Sequence, residues 1–271
     1  MPYQTLAVER DGPLAVLTLN RPEKLNAISY QMAAELLDVL HGLRRDLGTK
    51  VLIVTGAGRG FCSGTDLTGG RERPPGFDHD VGEVQARFLL QEALSDVVGE
   101  LRAIPQPVIA AVNGPAAGGG LAIALAADVR YAAPSARFIA SFVKIGLSGG
   151  EMGASFFLPR VVGASQAAEL LYTGRAVDAE AALRMGLVSR VVPEEELLGA
   201  AKGLAAEMLA SVSPAGLRMT KELLNVSLSG ASLETMRHLE NRTQILLTFT
   251  EDHREGVQAF RERRGARFQD R

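Results

Sequence analysis

The chain has 271 residues, 46% of them hydrophobic and 22% charged, with a formal net charge of −2. That composition suffices for a large core in one or two domains, and its charge balance gives no reason to expect a nucleic-acid partner. One cysteine, Cys62, excludes an internal disulfide and fits a reducing compartment; with no cationic-then-apolar start and no uninterrupted apolar run of the roughly 18 residues a membrane span needs, a cytoplasmic protein without membrane contact is expected.

Two β-type runs, Thr5 to Arg10 and Leu14 to Asn20, flank Asp11-Gly12-Pro13 and read as a hairpin. A helix follows over Tyr30 to Leu47, with Ser29 as its cap and Leu36, Leu40, Leu43 and Leu47 on one face; Val51 to Thr55 is the next buried strand. After it comes the glycine turn GAGRGFCSGTDL, Gly56 to Leu67, then the polar stretch Thr68 to Gly82, which is either a lid over a site or an exposed connector. Glu83 to Arg102 has helical spacing and ends before Pro105 and Pro107.

The run PQPVIAAVNGPAAGGGLAIALAAD, Pro105 to Asp128, reads as strand Val108 to Val112, turn Asn113-Gly114-Pro115, then Gly118-Gly119-Gly120 opening a helix over Leu121 to Ala127. Short strands follow at Val129 to Ala132 and Arg137 to Ile139, then a glycine loop, Gly146 to Gly153. Ala164 to Tyr172 and Ala179 to Met185 are helical in pattern, Val188 to Val192 is a strand, and beyond Glu194 every segment is helical (Leu197 to Leu209, Pro214 to Leu228, Ser232 to Phe249, Asp252 to Arg263). The expected organisation is an α/β core over residues 1–195 with a helical region over 196–271.

The two strand-to-glycine loops carry the chemistry. Unpaired N–H groups at a helix start lie where glycine lets a ligand approach, and two such loops at neighbouring strand ends can each donate one N–H to a single carbonyl oxygen. Glycines placed only for close packing are the competing explanation. Cys62 reads as a small apolar filler rather than a nucleophile, because no histidine stands near it in sequence. The four histidines show no metal-ligand spacing, and no cofactor is called for.

Arg21-Pro22, Lys24, Leu25-Asn26-Ala27, the Phe61 to Leu67 loop, Ala110 to Gly114, Gly118 to Gly120, Asp128-Val129-Arg130 and Thr173-Gly174-Arg175 through Val188 together resemble the crotonase superfamily, the enoyl-CoA hydratase/isomerase family, over nearly the whole chain. The resemblance implies a spiral of ββα units with a C-terminal helical region that mediates assembly into a homotrimer or a dimer of trimers. It also implies an acyl-CoA substrate, with coenzyme A entering as part of that substrate. The thioester oxygen would lie between the N–H groups of Ser63 and Gly119. Substrate contacts would come from Lys24, Cys62, Gly64, Asp66, Leu67, Gly118 and Gly120, and from Phe260 and Arg263 of the last helix, in this or a neighbouring subunit. Asp66 itself reads first as a cap of its own loop.

At the places where the family's hydratases carry two glutamates, this sequence has Ala122 and Phe142. The carboxylate left in the neighbourhood is Glu151, where dienoyl-CoA isomerases and 4-chlorobenzoyl-CoA dehalogenases of the superfamily place an aspartate. Glu151 is expected either to carry a proton as base and then acid, or merely to cap the helix that follows. The dehalogenase reading is weakened because the helix over Glu83 to Arg102 has no histidine, the corresponding place falling near Gly99. The expectation is an enzyme that hydrates or isomerises an enoyl-CoA; the alternatives are a dehalogenase or thioesterase and a non-catalytic acyl-CoA-binding relative.

Overall fold

A computed structural model describes residues 3–68 and 81–271. Strands β1 (Leu6–Asp11) and β2 (Leu14–Leu19) form the antiparallel hairpin, with Gly12 at φ +55° in the turn. Helix α1 (Tyr30–Arg45) then crosses over to β3 (Val51–Gly56), which lies parallel to β2 with Leu14 opposite Val51. The Ser29 hydroxyl accepts from the Met32 amide at 3.1 Å, supplying one of the partners a helix start lacks. Helix α2 (Glu83–Ala103) leads to β4 (Val108–Val112), and β5 (Pro115–Ala117) leads to α3 (Gly119–Ala126).

After α3 come β6 (Val129–Ala132), β7 (Arg137–Ile139), α4 (Ala154–Val162), α5 (Ala164–Thr173), β8 (Ala176–Asp178), α6 (Ala179–Arg184) and β9 (Arg190–Val191). Helices α7 (Glu194–Ser211), α8 (Pro214–Leu228), α9 (Leu233–Thr248) and α10 (Glu251–Glu262) complete the fold. The larger sheet has the order β1-β2-β3-β4-β6-β9, parallel from β2 onward; β5, β7 and β8 form a second sheet. Among the described residues no helix is long and apolar enough to cross a membrane.

Alternation along the strands explains why they are apolar throughout. Leu52 and Val54, with Val108, Ala110 and Val112, face the core that includes Leu36, Leu40 and Leu94. Val51, Ile53, Ile109 and Ala111 face the other way, onto Leu197, Ala201 and Ala205 of α7. A sheet covered on both faces reads as a continuous hydrophobic run. The anticipated boundary at 195/196 therefore falls inside a helix that seals the sheet, and the helical part standing off the core begins at α8.

That part is attached through polar bonds. Lys221 of α8, 5% exposed, donates to the carbonyls of Leu101 (3.0 Å) and Gln106 (2.8 Å) and lies 3.1 Å from Asp128 Oδ2. Burial pulls its ammonium down to about 8, against the opposing pull of Asp128. Asn225 donates to the Arg102 carbonyl at 2.9 Å, and Asp270, gripped by two nitrogens of Arg218 at 2.9 and 2.7 Å, also pairs with Lys50 of the core.

Three expectations are corrected. Pro115, expected as the last residue of a turn, instead opens the strand Pro115–Ala117, because the backbone there pairs with β7. Helix α3 starts at Gly119 rather than Leu121, so the second glycine is its first residue. The strand expected over Val188 to Val192 is only Arg190–Val191, since Leu187 and Val188 donate back to the Ala182 carbonyl. Of the stretch proposed as a lid, 69–80 lie outside the described residues.

The turn from α1 to β3 makes an acid-sensitive clasp. The Asp46 carboxyl lies at about 2 instead of 3.8, chiefly through the Thr49 hydroxyl at 2.8 Å, with burial opposing and the amides of Gly48 and Thr49 and the Arg10 guanidinium adding to it. A folded value below the unfolded one gives stability that is complete above the unfolded value and is lost as pH falls through the folded one. The difference in urea-unfolding free energy between the wild type and Asp46→Asn should therefore shrink as pH falls from 3.8 toward about 2; a constant difference would show that the carboxylate contributes nothing there.

Candidate active site

The chain after β3 and the chain after β4 are laid side by side by backbone bonds. The amides of Phe61 and Cys62 both donate to the Pro115 carbonyl at 3.1 Å, and Ala117 donates to the Cys62 carbonyl at 2.9 Å. On the far side of the first loop Ile28 donates to Gly64 at 2.8 Å, and Asp66 donates back to Ile28 at 2.9 Å. Gly118 donates to Ile139 at 2.9 Å. The loop from 61 to 66 thus acts as an extra strand between Ile28 and β5.

Glycine makes this contact possible. A Cβ on Gly120 would lie 2.1 Å from the Cys62 carbonyl oxygen, and one on Gly114 would lie 2.2 Å from that of Arg59. Gly64, at φ +98°, brings its Cα so near that a Cβ would be 2.9 Å from Ala117 O and 3.4 Å from Gly119 N. Two asparagines pin the turn between. Asn26, fully buried, donates to Ala57 and Gly60 at 2.9 and 2.8 Å. Asn113 donates to Gly56 and Gly58 at 2.9 Å and accepts from the Gly56 amide at 3.1 Å.

Gly119 is the first residue of α3, where an N–H has no carbonyl within its own helix, and the helix dipole adds positive potential there. All eight residues of α3 are buried, and its other end is capped by Arg130, whose Nη1 donates to Ala127 O at 2.6 Å. The second expected donor differs. The Ser63 N–H donates to the Leu25 carbonyl at 3.0 Å, so it is not open as the sequence suggested. Leu25 and Asn26 reach that carbonyl's position through left-handed conformations, φ 49° and 55°.

Side chains close the space around Gly119. Its Cβ position lies 3.0 Å from both Ile28 Cδ1 and Met152 Sδ, and that of Gly118 lies 3.2 Å from Ser141 Oγ and 3.5 Å from Phe142 Cε1. Ala122, one helical turn beyond Gly119, is fully buried and Phe142 is 4% exposed, so the two places of the family's glutamates are apolar and dry. Glu151 directly precedes Met152 in the chain. Glu151 is half-buried, and its Oε1 accepts from Gln91 Nε2 of α2 at 3.3 Å. It does not cap α4: the cap is Gly153, with no side-chain bond, and Glu151 contributes only its backbone carbonyl, 2.9 Å from the Ala154 amide.

Sequence reasoning missed Gln91. One amide on the polar side of a long helix carries no signal of its own, and the residue of α2 that meets Glu151 lies two turns before Gly99.

The other expected contacts divide. Lys24 is exposed, with Nζ 3.3 Å from Thr68 Oγ1, and Leu67 is exposed beside it. Asp66 accepts from Arg21 Nη2 at 2.8 Å and from the Thr68 amide and hydroxyl at 2.9 and 2.7 Å, a loop-holding role. Burial raises the Cys62 thiol to about 12, with a Gly64 amide bond opposing, so it stays protonated and inert. Phe260 and Arg263 are not brought to these loops by their own chain. They lie at the end of α10, which packs on α9, and Phe260 lines a surface hollow of 490 Å³ with Leu247 and Phe268.

A family model described as enoyl-CoA hydratase/isomerase matches residues 9–271. The chain belongs to the enoyl-CoA hydratase/isomerase family. It is 43% identical over 267 residues to the "Probable enoyl-CoA hydratase echA12" of Mycobacterium bovis, covering 97% of this chain and 92% of the relative. It is 40% identical over 252 residues to the 1,2-epoxyphenylacetyl-CoA isomerase of Escherichia coli, covering 93% of each. The crystal structure of a "probable enoyl-CoA hydratase/isomerase" from Mycobacterium abscessus superposes with a TM-score of 0.92 at 37% identity, covering 99% of this chain and all of that one.

Gly119→Pro tests the donor. Proline is tolerated at a first helical position, where it removes the N–H and little else, and the atoms nearest the Cβ position are side-chain ends of Ile28 and Met152. The expected result is a folded protein whose kcat falls about 10²- to 10³-fold, or at least ~2.7 kcal/mol of lost transition-state stabilisation; an unchanged kcat would remove Gly119 from the chemistry.

Proposed function

We propose that this enoyl-CoA hydratase/isomerase family enzyme moves the double bond of an enoyl-CoA, with Glu151 as its one proton carrier. What supports this reading is that Met152, the residue after Glu151, packs its Sδ against the Gly119 start of α3, while buried Ala122 and Phe142 fill the two places of the hydratase glutamates. Glu151 takes an α proton from a 3-enoyl thioester, and the electron pair moves into the carbonyl, whose oxygen accepts from Gly119. The Ser63 N–H joins by sharing its bond between Leu25 and the new oxyanion. Collapse of the dienolate takes a proton from Glu151 at the γ carbon, leaving a 2-enoyl thioester. No water is consumed, in keeping with the apolar walls.

Hydration is the second reading, favoured by the named activity of the mycobacterial relative. It requires Glu151 both to activate water and to pass on the proton. In either case coenzyme A enters as part of the substrate, with Lys24, Leu67 and the 62–66 backbone along its path and Phe260 and Arg263 supplied by a neighbouring subunit. We place the enzyme in the cytoplasm, in keeping with its one buried, unpaired thiol.

Glu151→Gln keeps the shape and removes the proton carrier, so exchange of the α proton of a bound acyl-CoA with D₂O, and isomerisation with it, should fall about 10²- to 10⁴-fold. Exchange at the wild-type rate would refute the assignment and turn attention to Glu83 and Glu92. With a 3-enoyl-CoA, growth of the conjugated absorbance reports isomerisation; with a 2-enoyl-CoA, its loss reports hydration, and free thiol would report a hydrolase.

Assembly into a trimer or a dimer of trimers is supported by apolar side chains left exposed on the standing-off helices, among them Leu224, Leu233, Ile245, Leu246, Phe249 and Phe260. Sedimentation equilibrium at micromolar concentration should give a trimer or a multiple of it; a monomer would overturn this proposal.

A further inference from the structure

Helix α2 runs along the segment that carries the carboxylate and touches it at several places. Near its C-terminal end the Arg102 guanidinium stands 5.8 Å over the Phe157 ring, and Val98 Cγ1 is 3.5 Å from the Cβ position of Gly153. Two turns before Val98, on the same face, is Gln91, with Nε2 3.3 Å from Glu151 Oε1. The packing that fixes α2 in the protein, through the buried Leu94, Val97, Val98 and Leu101, therefore also fixes where the Gln91 amide is presented. Among the described residues no other side chain bonds the Glu151 carboxylate.

We infer that Gln91 is the positioning residue of the Glu151 carboxylate, its amide engaging Oε1 so that Oε2 is the atom that takes and returns the proton. This rests on the reading of Glu151 as proton carrier. Its logic lies in the loop that bears the glutamate. Glu151 follows Gly149 and Gly150 and precedes Met152 at φ 47° and Gly153 at φ 79°, so nothing in its own backbone fixes a rotamer. A glutamate side chain has several freely rotating bonds, and an anchor from a separate rigid element is what holds it to one geometry.

The chemistry of the anchor matters as much as its place. A lysine or arginine there would stabilise the carboxylate and weaken it as a base, and a second carboxylate would compete for the proton. An amide donates a hydrogen bond without a charge and does not titrate. Catalytic hydrogen bonds are often long before substrate arrives and shorten in the complex, and the Gln91–Glu151 separation of 3.3 Å fits that pattern.

The test is a double-mutant cycle on a 3-enoyl-CoA. Gln91→Ala should lower kcat and the D₂O exchange rate together by about 10-fold, the loss of one hydrogen bond to a charged group, with KM within about twofold of wild type. In the Glu151→Gln background the same change should have no further effect, because the group it orients no longer carries a proton. Equal losses in both backgrounds, or a rise in KM alone, would show that Gln91 acts on substrate or on the fold and would overturn the inference. Wild-type exchange in Gln91→Ala alongside a large loss in Glu151→Gln would overturn it while leaving the proposed function intact. Wild-type exchange in Glu151→Gln would instead remove the proposed function, and this inference with it.

Discussion

Everything at this site depends on two stretches of main chain lying closer together than any side chain would allow. Gly120 and Gly114 sit where a single added carbon would run into a carbonyl oxygen, 2.1 and 2.2 Å away. The cost of backbone exposure that glycine brings is offset by the bonds each loop makes to the other, and by Asn26 and Asn113, which meet carbonyls the turn leaves unpaired. Helix α3 follows from the same constraint. Its second residue, Gly120, must pass the Cys62 carbonyl without a side chain, and the helix is buried on every side and holds only small or apolar residues.

The surroundings of the junction set its chemistry by subtraction. Apolar groups at Ala122, Phe142, Ile28 and Met152 leave charge development to be met by main-chain dipoles and one carboxylate. In such a dry space a hydrogen bond to a forming oxyanion is worth far more than in water.

The buried strands of the larger sheet, the long helices and both glycine loops were legible because they rest on local signals: apolar runs of strand length, helical spacing in α1, and glycine clusters directly after strands; the short β5 and β8 and the helix α4 were not assigned. Features fixed by distant pairing were not. Pro115 resembles the end of a turn until β7 is beside it, and residues 196–211 resemble the start of a separate helical region until Leu197, Ala201 and Ala205 are found on the back of the sheet. The Glu151 side chain could be singled out through the family resemblance, whereas its partner Gln91 could not, because the two are 60 positions apart and only the packing of α2 joins them. Likewise the occupied state of the Ser63 amide follows from the left-handed turn at Leu25, which no composition rule foretells.

Ala122 sits one turn along α3 from the Gly119 donor, on the helix that the two loops hold through main-chain contacts alone. A side chain at that position can therefore be exchanged without disturbing the backbone around the Gly119 N–H, provided that it fits the space. The same is true of Phe142, beyond β7, and of Glu151, on its glycine-flanked loop. On the proposed reading, polarisation is a property of the backbone and proton traffic a property of a few replaceable side chains, so that the reaction could be rewritten at single positions while the scaffold stays as it is.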